Sequence, residues 1–297
     1  MRFSRLRPSP NTAAREESTR GNGRKPTVSA SDRLQQVNNP SDKSYLSALE
    51  IGYELAAAGE TLLSAHHQGL DAYHIASLAL AAKALKNYQA ILILCSHGFG
   101  EAALVVVRGL FEDVVNLAYI SQEPVERAQL FAEFNIIEKK RLLANLERAG
   151  MGTEQEEADW QQNWEAEYQR LRPKFLTQRG EDAQYWSGLN VRQMCTAVDE
   201  ATAPLTRPLL KAYHLLYVYV SQYTHGGSSL AAGAFVEGPG PKGALIALFR
   251  PSDSEVGEAL TVAFGLAIDM LKLYCRAWEL PVKTIEELEL KERETLG

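Results

Sequence analysis

Three groups of residues in this 297-residue chain have the types and spacing to do chemistry. Tyr217, Ser221 and His225 are spaced four apart and followed by Gly226-Gly227, which places them on one stripe of a helix ending at the histidine. A helix C-terminus favours the protonated imidazolium, so His225 is a candidate general acid or phosphate contact. The competing assignment is a capping histidine whose ring bonds the end carbonyls beside a glycine. Arg108 and Glu112 form the second group, one turn apart in residues 101–121. At 100° per residue they fall within about 60° of a line shared with Leu104, Phe111, Val115 and Tyr119, while Asp113 and Asn116 point elsewhere. The expectation is a buried ion pair, serving as a fold-specifying device or as the floor of a site. The third group is Trp186-Ser187-Gly188 followed by Arg192. Asn190 suits a helix cap there, and free N–H groups beside Arg192 would make an anion site. The alternative is that Trp186 plugs the core and Arg192 pairs with an acidic neighbour.

Other chemistries lack their residues. A di-iron bundle needs two Glu-x-x-His motifs, and Asp71-Ala-Tyr-His74 is a single imperfect match, so neither a metal nor another cofactor is expected. The Gly/Pro run at 238–243 has no Lys-Ser/Thr ending of a phosphate-binding loop. No Gly-x-Ser-x-Gly elbow or Cys/His nucleophile arrangement occurs.

Charge is unevenly spread. Residues 1–30 carry a balance of +5 and the remainder −11. An acidic body argues against duplex DNA and other sequence-blind nucleic-acid binding, while leaving room for a small basic pocket. Cys95, Cys195 and Cys275 are far apart and in apolar contexts, as expected of buried free thiols in a reducing cytoplasm. Arg108 and Asp269 interrupt the longest apolar runs, and no transmembrane span is expected.

The elements that must position these groups are helical. Residues 1–40 have few apolar groups to bury and read as a disordered basic tail; 41–282 read as one helical domain and 283–297 as a charged extension. The predicted architecture is all-α, a single bundle of about eight helices. Helices are expected over 45–67, from an Asp71 N-cap to about His97, and over 101–121 after a Gly98-Phe99-Gly100 turn. Others follow from Pro124 to Ala149, over 154–171, 190–200 and 207–224, and from Ser254 to Leu280. Residues 234–250 suggest a small hairpin or ordered loop.

Taken together, Arg108-Gly-Leu-Phe-Glu112, Trp186-Ser187-Gly188 with Arg192, and Tyr217…Ser221-x-x-x-His225-Gly226 resemble the motifs of an uncharacterised, mostly bacterial all-helical family of unknown function. More distantly the arrangement is similar to the HEPN superfamily of toxin and defence proteins, many of them metal-independent ribonucleases. That resemblance implies a nucleotide or short single-stranded RNA as ligand, with His225 and Arg108 catalytic. Arg192, Glu112, Trp186, Ser187, Gly188, Tyr217 and Ser221 would line the site. The superfamily places an Arg shortly before the His, where this chain has Val218, Tyr219, Val220 and Ser221. The guanidinium would then come from Arg108 or Arg192 on another helix, and a non-catalytic ligand-binding or protein-interaction module, with a homodimer allowed, is the second expectation.

Overall fold

The computed structural model describes residues 40–64, 70–201, 208–217, 220, 236–237, 246–247 and 251–296. Ten α-helices are present among them: α1 (Pro40–Leu63), α2 (Ala72–Ser96), α3 (Gly100–Ile120), α4 (Pro124–Arg148), α5 (Glu154–Asn163), α6 (Glu165–Leu171), α7 (Val191–Glu200), α8 (Leu209–Ala212), α9 (Val256–Ala277) and α10 (Lys283–Leu296). The fold is all-α. A short antiparallel ladder, β1 (Val236–Glu237) with β2 (Ile246–Ala247), lies within the expected hairpin.

Local chemistry sets the boundaries. Asp71 accepts the His74 backbone N–H at 2.9 Å and starts α2. The chain leaves α2 through Gly98 at φ +72°, a conformation open to glycine, and the Phe99 N–H returns to the Leu94 carbonyl. Two residues later α3 begins, so α2 and α3 form a tight hairpin. Pro124 opens α4 and Gly150, at φ +68°, lies just beyond its end. The helix expected over 154–171 is instead two helices, because Trp164 leaves the helical conformation at φ −129°. Its ring lies beneath the Lys139 ammonium, and the Trp160 indole reaches Glu165 across the break. Anchoring to α4 outweighs continuation of a polar helix whose own face buries little.

The core is a three-helix layer of α2, α3 and α9, closed on one side by α1, which also carries α10. Tyr88, Ile91 and Leu92 of α2 meet Leu104, Leu110 and Leu117 of α3 and Ile268, Leu271 and Tyr274 of α9 in one buried cluster. α4 packs on α2, and α7 packs on α3. The segment after 282 is helical and buries Ile285. Cys95, Cys195 and Cys275 are free and buried, with burial pushing the first two thiols up to about 12. Among the described residues α2 alone is long and apolar enough to cross a membrane, and its Ala76, Leu80, Ala84 and Ile91 are in the core.

Candidate functional site

α3 is buried nearly all round, and its least buried stripe carries Arg108, Glu112, Asn116 and Tyr119. The expected burial of the Arg108–Glu112 pair is therefore corrected: the two side chains are 24% and 36% exposed. The buried charge is Asp113, whose side chain is 2% exposed. It accepts Lys83 Nζ at 2.6 Å and Asn87 Nδ2 at 3.3 Å from α2. Burial raises the Asp113 pKa, with the Lys83 bond opposing.

Arg108 is held by two residues through three contacts. Its Nε donates to Glu112 Oε1 at 3.2 Å, its Nη2 donates to the Tyr217 hydroxyl at 2.7 Å, and the guanidinium carbon lies 4.4 Å from the Tyr217 ring centroid. Burial works against its charge, but the bonds to Glu112 and Tyr217 outweigh it and raise the pKa. Burial also raises the Tyr217 pKa, reinforced by the Glu112 charge and opposed by Arg108. Tyr217 is thus a neutral phenol at physiological pH, fit to orient a cation or bond a ligand rather than to act as a base. It stands at the end of a π-helical turn, Tyr213–Tyr217, where its ring stacks on Tyr213 at 4.9 Å between centroids and 18° between planes. Single π turns commonly mark functional positions.

Trp186 joins the same stripe one turn further along. Its indole donates to Asn116 Oδ1 at 2.8 Å, and Asn116 Nδ2 donates to the Glu112 carbonyl at 2.9 Å. Buried edge-on against Tyr119 and Phe131, it pins the 183–190 loop to α3 and α4. The Ser187 hydroxyl is engaged by Leu189 within its own turn, and Gly188 turns the chain at φ +70°. Asn190 and Gln193 form a reciprocal cap on α7, occupying two of the N–H groups that an anion would need. Arg192 is exposed, and its guanidinium forms no hydrogen bond or ion pair with a described residue.

The fold thus brings Arg108, Glu112 and Tyr217 into contact and links Trp186 to them through Asn116, while Ser187, Gly188 and Arg192 lie in the adjoining loop and helix. Ser221 and His225 lie outside the described residues. Asn116, expected to point away from the Arg108–Glu112 line, instead joins Glu112 to Trp186, and Tyr213 is not among the residues singled out from the sequence. Asn116 follows Glu112 by four and Tyr213 precedes Tyr217 by four, so extending each i, i+4 series by one turn finds both. No group of three or more His, Cys, Asp or Glu suited to a metal occurs among the described residues.

No curated protein and no solved structure matches the chain. Residues 74–239 match the sequence pattern of a family over more than half of the chain, from the start of α2 through the Arg108, Trp186 and Tyr217 segments to the first strand. The chain belongs to the Family of unknown function (DUF5677).

Proposed function

We propose that the chain is a helical ligand-binding protein whose Arg108–Tyr217 face takes a nucleotide or a short single-stranded RNA. The observation that carries this reading is a guanidinium held by Glu112 and Tyr217 yet still about a quarter exposed. A pre-oriented Arg loses little freedom when a phosphate arrives, and Nη1 makes no hydrogen bond to a described residue. The Tyr213 ring, stacked on Tyr217, supplies a π surface of the kind on which single-stranded bases stack. Glu112 partly neutralises the site, which suits one phosphate better than a long polyanion.

Ribonuclease activity of the HEPN kind is the finer form of this proposal and depends on His225 as the proton donor. The non-catalytic module is favoured by Glu112, which already occupies Arg108 Nε, and by the neutrality of Tyr217. The buried free thiols fit a reducing cytoplasm.

One experiment separates these readings. Adenosine monophosphate and fluorescent eight-nucleotide RNA are titrated, in EDTA, into the full chain and into folded Arg108→Ala, Tyr217→Phe and His225→Ala variants. The RNA is then run on a gel. Binding weakened about tenfold or more by Arg108→Ala supports the site. Cleavage lost in His225→Ala supports the ribonuclease, whereas binding without cleavage supports the module. Absence of binding, or equal binding by wild type and Arg108→Ala, removes the proposal.

A further inference from the structure

Tyr88, in the α2 face that builds the core, is 1% exposed, and its hydroxyl forms no hydrogen bond with a described residue. Glu157 Oε2 is the other buried side-chain atom of this kind among the described residues, but Oε1 of the same carboxylate accepts Gln161 at 3.0 Å. A buried hydroxyl without a partner is a standing cost, and phenylalanine would fill nearly the same volume without it. Burial raises the Tyr88 pKa, with the Glu292 charge adding to the effect, so the group is a neutral phenol able to donate. The hydroxyl stands against α1, where a Cβ on Gly52 would be 3.1 Å from it. One turn earlier on α1, Ala48 lines a small cavity together with Tyr88, with Leu260, Thr261 and Phe264 of α9, and with Glu292 of α10. The centre of a water can occupy about 10 Å³ of this cavity, room for one water and for no larger ligand. Half of its lining residues are polar, and the half-buried Glu292 forms no hydrogen bond or ion pair with a described residue. A cavity of the same size between α2, α3 and α9 is walled by Ala81, Leu85, Leu110, Met270 and other apolar side chains alone, and offers a water no partner.

We infer that the Tyr88 cavity is a water-binding site, in which one ordered water accepts the Tyr88 O–H and donates to the Glu292 carboxylate. The bridge satisfies the buried phenol and ties the C-terminal helix α10 to the core through α2. A water held by two or more polar groups is part of a fold and costly to remove, and the Thr261 hydroxyl is available on the same cavity as a third partner. The site is assembled by α1, α2, α9 and α10, and is separate from the Arg108 face on α3.

The test is a crystal structure of the full chain at a resolution that shows ordered waters, together with thermal melts of Tyr88→Phe, Glu292→Ala and the double variant. Density for one water within hydrogen-bond distance of both Tyr88 Oη and a Glu292 carboxylate oxygen is expected. Each single change should lower Tm, and the double change should lower it by little more than the larger single one, because both remove the same bridge. No water at Tyr88 overturns the inference, as does a water that Glu292 does not touch. So do a Tm unchanged or raised in Tyr88→Phe, the behaviour of a phenol left without a partner, and losses that simply add. The wild-type density decides alone if Tyr88→Phe does not fold.

Discussion

The neighbours Glu112 and Asp113 have opposite roles, and their substitutions should show it. Glu112 forms a half-exposed i, i+4 pair, a class worth about 0.3–1 kcal/mol. Asp113 is buried with two donors, and its removal leaves the Asn87 amide without its bond, a loss of about 1–3 kcal/mol. Lys83 is 62% exposed, so it is not stranded as a buried charge when Asp113 goes. Urea melts of Asp113→Ala and Glu112→Ala should therefore rank the first as clearly the more destabilised. The pH dependence has a definite sign. Burial raises the Asp113 pKa above its ordinary 3.8, so the folded state keeps that proton to higher pH than the unfolded chain. The contribution is complete below the unfolded value and is lost as pH rises through the folded one. Asp113→Asn, which cannot ionise, should gain in Tm relative to wild type as pH is raised from below 3.8. A difference that moves the other way would show that Lys83 outweighs burial, and a constant one that the two cancel.

At the scale of elements, the α2–α3 hairpin is positioned by one close approach. The Ser252 backbone N–H donates to the Gly98 carbonyl at 2.9 Å, and Gly100 lies against the segment that leads into α9. A Cβ at Gly100 would stand 2.5 Å from the Glu255 and Val256 backbone and nearer still to the Ser254 carbonyl oxygen. Backbone cannot swing aside as a side chain can, so Gly100→Ala should cost at least about 1–3 kcal/mol. At Gly109, half-buried one turn before Asp113, the nearest atom to an added Cβ is Asn87 Nδ2 at 3.4 Å, an ordinary contact. Gly109→Ala should be neutral or stabilising by up to about 1 kcal/mol through helix propensity. Thermal melts of the pair check both, and equal Tm values would mean that α3 and the start of α9 are not in tight register.

For the whole molecule, the family match and the physical unit have different limits. Residues 74–239 take in α2 and α3 but omit α9, whose Ala263, Ala267, Met270 and Tyr274 complete the core, and α1, which packs on α2 and α9. A fragment of residues 72–239 would leave the inward faces of α2 and α3 in water. It should bind a hydrophobic dye and lack near-ultraviolet circular dichroism, whereas residues 41–297 should melt within a few degrees of the full chain. A cooperative melt from the short fragment would contradict this account of the core.

The local grammar of the chain was legible without coordinates. Asp71, Gly98, Pro124 and Gly150 start and stop helices through bonds and dihedrals reaching no further than about four residues, so α2, α3 and α4 end close to where the residues indicate. The all-α class, the hairpin within 234–250 and three buried thiols follow from the same short-range patterns. The inward side of α3 was not legible. A helix apolar almost all round carries little angular preference, and a wheel drawn from it cannot separate Glu112 from Asp113. Packing decided the matter: Lys83 and Asn87 on α2 reach Asp113, which leaves Arg108 and Glu112 on the side where Tyr217 arrives from 109 residues away. The break at Trp164 has the same origin, since the lysines that hold Trp160 and Trp164 belong to α4. Contacts between distant segments carry no periodic signature in one sequence, so the partners of Arg108 and Asp113 are decided by tertiary structure alone.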